Sequence, residues 1–195
     1  MKMIRTFSPS SDSRVVPGLV LGAVVLLGLQ CGAAAQQPQP NGADVQREAM
    51  QKLSFLAGTW SGPVTIVRGP GEPIHLTQTE DVEYKLGGLL ILIQGKSAGM
   101  DGKAQFEALA TIAYDDVSHA YRIRAYHDGH YLDTELTVLP DGFSWGFTSG
   151  PAHIVSTMHV TNTGQWQETS EVTFGNAPAM KSVEMLLEPS GKKER

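Results

Sequence analysis

Residues 121–136 read Tyr121-Arg122-Ile123-Arg124-Ala125-Tyr126-His127-Asp128-Gly129-His130-Tyr131-Leu132-Asp133-Thr134-Glu135-Leu136, and a single pairing accounts for the whole stretch. Asp128-Gly129 tolerates the positive φ angles that a two-residue hairpin turn demands. Folding the chain there sets His127 opposite His130, Ala125 opposite Leu132, Ile123 opposite Thr134 and Tyr121 opposite Leu136 on one face. The other face pairs Tyr126 with Tyr131, Arg124 with Asp133 and Arg122 with Glu135. The first face is mainly apolar; the second carries two opposite-charge pairs that belong in water. The segment is therefore an antiparallel hairpin with one side on a core and one side on solvent.

The same two-residue period extends outward in both directions. About ten strand-like segments follow one another, near 59–67, 75–86, 88–97, 105–115, 119–127, 130–139, 143–148, 153–161, 165–174 and 181–187. Asp101-Gly102, Asp141-Gly142 and Thr163-Gly164 mark further tight links, so neighbouring strands run antiparallel. A meander with links this short closes most simply as an up-and-down barrel. Parity sends Trp60, Val64 and Ile66 inward, then Leu76, Val82, Tyr84 and Leu86, then Phe143, Trp145 and Phe147. It does the same for Ile154, Met158 and Val160, for Trp166, Val172 and Phe174, and for Val183, Met185 and Leu187. Segments 88–97 and 105–115 are apolar on both faces, which leaves their orientation open and invites cover by a helix. One short helix precedes the strands: Asp44 is its expected cap, and Val45, Ala49, Leu53 and Leu56 fall near helical spacing.

The first 35 residues are set apart by composition. Lys2, Arg5 and Arg14 precede an almost wholly apolar run from Val15 to Leu29 and then Ala33-Ala34-Ala35, the pattern of a secretory signal at 1–35 with cleavage before Gln36. The run from Pro17 to Leu29 is shorter than a spanning helix needs, so no stable membrane span is expected after cleavage. The lone Cys31 would leave with the signal, and Gln30 and Gly28 do not suit lipidation. Residues 36–43 read as a disordered spacer, 44–189 as one barrel domain and 190–195 as a disordered tail. These segments place the protein in the periplasm or outside the cell. The chain's formal charge is −5, and loss of the signal's three basic and one acidic residues leaves 12 basic against 19 acidic. The only basic run, Lys192-Lys193 with Arg195, is terminal, so nucleic acid is excluded as a partner. Oligomeric state is not legible.

Phe55-Leu56-Ala57-Gly58-Thr59-Trp60 resembles the opening of lipocalin-like, or calycin, barrels, where Gly-x-Trp starts the first strand. Further matches are Gly87-Gly88-Leu89, Tyr114-Asp115, residues 121–126, Asp141-Gly142-Phe143-Ser144-Trp145-Gly146-Phe147 and Gln165-Trp166-Gln167-Glu168-Thr169. This ordered set, across about residues 50–188, is similar to a bacterial family called domain of unknown function 1579. The resemblance implies an all-β, up-and-down antiparallel calycin or lipocalin-like barrel of about ten strands with a short N-terminal helix; it implies no particular ligand. It also implies that Trp60 closes the barrel's base. Related nitrobindin-type barrels hold haem through a histidine on a strand near the C terminus. The corresponding strand here, Ser182-Val183-Glu184-Met185-Leu186-Leu187, has no histidine, so no cofactor is expected and haem would need a ligand such as Met185.

Chemistry-bearing residues are few. His153 and His159 share a strand face but lie roughly 20 Å apart, whereas the turn brings the Cβ atoms of His127 and His130 to about 5 Å. No third ligand accompanies that pair, so no metal site is expected. More informative are polar residues that parity turns inward, Gln78 and Glu80, and Glu168 and Ser170. An interior carboxyl without a partner has a raised pKa or a cost of several kcal/mol, which points to water, a cation or the polar end of a ligand. The function expected is binding of a small hydrophobic or amphipathic molecule by Glu80, Tyr84, His127, His130, Trp145, Met158, Trp166 and Glu168. Three alternatives stand beside it: an isomerase- or hydratase-type enzyme using Glu80 or Glu168 as general acid or base, a haem-binding barrel, and an envelope protein with a filled core.

Overall fold

A computed structural model describes residues 41–191; the expected signal segment, residues 36–40 of the spacer and residues 192–195 of the tail lie outside the described residues. Helix α1 (Gly42–Gln51) and a 3₁₀ turn (Ser54–Leu56) precede ten strands. These are β1 (Gly58–Ile66), β2 (Ile74–Lys85), β3 (Leu90–Ala98), β4 (Ala104–Asp115), β5 (Ala120–His127), β6 (His130–Leu139), β7 (Gly142–Ser149), β8 (Ala152–Val160), β9 (Trp166–Phe174) and β10 (Met180–Pro189). Each strand pairs antiparallel with the next, and β1 also pairs with β10, closing an up-and-down barrel. The fold is thus the lipocalin-like barrel with a short N-terminal helix. Among the described residues no helix is long and apolar enough to cross a membrane.

The hairpin at Asp128-Gly129 has the expected register, from Tyr121 opposite Leu136 to His127 opposite His130. Asp128 and Gly129 turn the corner at φ 45° and 75°, the double positive φ of a turn whose twist matches the strands. Its charged face differs from expectation. Asp133 accepts from Nε of both Arg122 (2.9 Å) and Arg124 (2.8 Å), and Glu135 has no ion-pair partner among the described residues. Asp133 stands directly opposite Arg124 across the β5–β6 pair and diagonal to Arg122, so both arginines reach it.

One end of the barrel is plugged. Met50, Leu53 and Leu56 are fully buried, and Trp60, on the first strand, donates its indole N–H to the Leu56 carbonyl at 2.8 Å. At the helix end Ala49 O and Met50 O accept the Lys52 and Leu53 amides at 3.2 and 3.1 Å, and each takes a second donor from a strand: the Tyr121 hydroxyl donates to Ala49 O at 2.8 Å and the Tyr84 hydroxyl to Met50 O at 2.7 Å. Arg47 Nε and Gln46 Nε2 reach the Gly87 and Leu89 carbonyls of the β2–β3 link. The helix begins earlier than Asp44. Asn41 is the cap, accepting the Asp44 amide on its side chain at 2.9 Å, so residues 42–43 belong to the helix and not to a spacer. An acid in the first turn also suits the positive end of the helix dipole.

The open question of β3 and β4 resolves with Ile91, Ile93 and Ser97 buried inside, and Ala108, Ala110 and Ile112 on the inner face of β4. Leu86, expected inward, is 74% exposed because the chain has already entered the turn there, at φ 52°. Phe174, also expected inward, is half exposed at the opposite, unplugged rim.

Candidate functional site

Side-chain size decides where the barrel is filled. At the plugged end Ile91, Ile112, Met158 and Leu187 join Met50, Leu53 and Leu56 in one cluster and leave no exposed surface. Towards the other end the inner faces of β3, β4 and β5 carry Gly95, Ala108, Ala110 and Ala125, with Ala110 paired to Ala125. Such small residues cannot reach across the lumen. A cavity of about 400 Å³ results, bordered on its other side by Trp145, Phe147, Ile154 and Met185 and floored by Trp166. The floor is rigid, since Trp60 and Phe143 meet the Trp166 ring edge-on at centroid distances of 5.8 and 6.2 Å. Trp145 and Phe147 stack at 5.9 Å, and Phe106 and His127 pack at 5.3 Å near the mouth, where Arg68 also borders the cavity.

Polar groups interrupt this apolar wall at a few points. Glu80 Oε1 accepts from the Gln78 amide at 2.7 Å. Its carboxyl fills the space above Gly95, its neighbour on β3: a Cβ there would lie 2.8 and 2.9 Å from the two oxygens. Glu168 Oε2 accepts from the Trp166 indole N–H at 3.0 Å. Burial pushes the Glu80 carboxyl from an ordinary 4.5 up to about 8; the Gln78 hydrogen bond opposes the shift, and the charges of Glu168 and Asp81 add to it. Burial likewise raises Glu168, against the indole hydrogen bond. Both border the lumen, so each is reached from the cavity while protein encloses it elsewhere. On the neighbouring wall Ser156 and Ser170 share a 2.6 Å hydrogen bond and Ser182 donates to Ser170 O at 3.1 Å. Ser97 Oγ, buried on β3, has no hydrogen-bond partner among the described residues.

Of the residues singled out by sequence, Glu80, His127, Trp145, Trp166 and Glu168 border this one cavity. Three do not. Tyr84 turns its hydroxyl to the helix and belongs to the plug. Met158 is fully buried in the filled end. His130 is exposed at the rim, its ring 6.2 Å from that of His127. Parity distinguishes inside from outside but carries no information about height along the barrel, so it gives plug, core and lumen residues the same signature. Gly95, Ser97, Phe106, Ser156 and Ser182 escaped the reading; the alternating glycine and alanines of β3–β5 were the available signal for a void. Among the described residues no group of three or more His, Asp or Glu side chains is arranged to hold a metal ion.

No protein-family model matches the chain. No curated protein matches it either. Solved structures do: 15 chains match, among them the crystal structure of Rv2717c from M. tuberculosis. That match has a TM-score of 0.56 and 12% sequence identity, covering 73% of this chain and 98% of the other. At this identity the likeness speaks for the barrel fold alone.

Proposed function

We propose that this chain is an exported binding protein that carries a small hydrophobic or amphipathic molecule inside its barrel, in the periplasm or outside the cell. The observation that carries the reading is the cavity of about 400 Å³, within the size range of small-molecule sites, apolar-walled and supplied with a few inward polar groups. A protein whose barrel served only as a scaffold would gain stability by filling that space, because each absent methylene forfeits packing and burial energy. Trp145, Trp166 and Phe147 offer flat apolar contact, and Glu80 and Glu168 fix the orientation of a polar end. Export follows from the charged, apolar and small-residue pattern of residues 1–35. Native mass spectrometry of the protein purified from its own host tests the reading. A reproducible adduct lost on denaturation is expected, whereas a bare mass together with exclusion of the neutral dye Nile red would contradict it.

One observation favours a second reading. Glu80, its pKa pushed by burial up to about 8, shares the cavity with Glu168, which burial also raises, and a carboxyl kept protonated in this way is suited to general acid catalysis at neutral pH. An isomerase or hydratase acting through Glu80 or Glu168 predicts that substrate-profile assays find an activity lost in Glu168→Gln; unchanged activity in that variant would end the assignment of Glu168.

A further inference from the structure

The two interior acids share a feature that narrows the ligand. Glu80 has one donor, the Gln78 amide, and Glu168 has one, the Trp166 indole. An ionised carboxylate offers about four acceptor positions, so most of each is left unclaimed. Neither acid has an ion-pair partner among the described residues. The basic groups bordering the cavity are Arg68, just beyond the end of β1, and His127, the last residue of β5, both at the mouth. The acids themselves lie deeper. Glu80 is paired with Trp60, the Trp60 ring packs on Trp166, and the Trp166 indole holds Glu168, so an aromatic floor joins the two carboxyls.

A second, independent feature points to the same place. Ser97 is 2% exposed, borders the cavity and is paired with Gln78, the residue that holds Glu80. Its hydroxyl oxygen has no hydrogen-bond partner among the described residues, and a buried polar atom left so is costly. A serine hydroxyl can accept as well as donate, so together with the two carboxyls the polar lining has acceptor positions left over, next to indole rings whose faces attract cations.

Burial favours the protonated form of both acids, so each ionises in place only beside a positive charge. An anionic ligand, such as a fatty acid entering carboxylate first, would oppose that ionisation, and an alcohol would supply no charge to support it. We propose that the cavity selects a small organic amine, its ammonium group held by Glu80 and Glu168 and its apolar body lying against the aromatic wall of Trp145 and Phe147. The ammonium supplies the missing positive charge and up to three N–H donors, and the Ser97 hydroxyl completes the set of acceptors. This inference rests on the carrier reading and deepens it.

Isothermal titration of the processed chain at pH 8 with 2-phenylethylamine, 2-phenylethanol and 3-phenylpropanoate tests it, because the three probes differ chiefly at the polar end. The amine is expected to bind at least tenfold more tightly than the alcohol, with the acid weakest. In the Glu80→Gln/Glu168→Gln double variant, with folding checked by near-ultraviolet circular dichroism of the tryptophans, the amine-to-alcohol ratio should fall to about one. If that variant does not fold, Glu168→Gln alone should lower the ratio at least threefold. Equal binding of amine and alcohol by the wild-type chain, or preference for the acid, would overturn the amine assignment and leave carriage standing. Failure of all three probes would also overturn it, and the host-purified protein's mass would then decide separately whether the barrel is a carrier.

Discussion

Gly95 shows how one residue's missing side chain sets the chemistry of another. Its inner face is occupied by the Glu80 carboxyl, and an added methyl would approach both oxygens to under 3 Å. Gly95→Ala is therefore expected to fold, because the end of a flexible side chain can yield, but to turn the Glu80 carboxyl away. Crystallography of the variant checks this, and an unmoved carboxyl would contradict it. Glu80 also makes a pH-dependent prediction. Its native pKa lies near 8, above its ordinary 4.5, so between these values the native state binds more protons than the unfolded chain and stability declines as pH rises. Glu80→Gln removes the penalty: its melting temperature should match wild type near pH 5 and exceed it at pH 9. The inward placement of Glu80, Glu168, Trp145 and Trp166 was legible from parity alone. Which of the inward residues would meet a lumen was not, as Tyr84 and Met158 show, because that depends on what else occupies their level of the barrel.

Helix α1 is an element that its own sequence barely supports. Ten residues are too few for an isolated helix to persist in water, so its stability comes from docking. The docking is specific: Met50, and Leu53 just past the helix, are fully buried, and two tyrosine hydroxyls from the strands each add a second donor to a helix-end carbonyl. Met50→Ala should cost about 2–5 kcal/mol, the usual range for a buried methionine truncated to alanine, and Tyr121→Phe about 1 kcal/mol; urea unfolding measures both. If the helix were an ornament, both would be near zero. The strands were legible because short turns and period-two alternation constrain each other, and the hairpin at Asp128-Gly129 fixed a register that the whole sheet continues. The helix was legible as a helix, but not its cap: Asn41 sits among residues whose composition reads as a spacer, and Met50 does its packing from a position that the chosen spacing skipped.

At the scale of the molecule, two sets of acids act in opposite directions with pH. Asp115, Asp133 and Asp141 are held below the ordinary range by hydrogen bonds from Ser118, Arg124 and His159 respectively, so the stability they add at neutral pH is lost as acid protonates them. Glu80 and Glu168 lie above the ordinary range, and the stability linked to their protons is lost as pH climbs. Melting temperature against pH should therefore pass through a maximum on the acid side of neutrality, and the double glutamine variant should flatten only the alkaline limb. A symmetric loss of both limbs would point to another origin. Barrel closure was legible from ten short-linked strands, but the cavity was not, since its volume is set by which small and large residues face one another across the lumen. The most direct test is a crystal structure of the host-purified protein. The account predicts non-protein electron density between Glu80, Glu168 and the Trp145 ring; a lumen filled by its own side chains, with Trp145 and Phe147 packed onto Ala108 and Ala110, would contradict it.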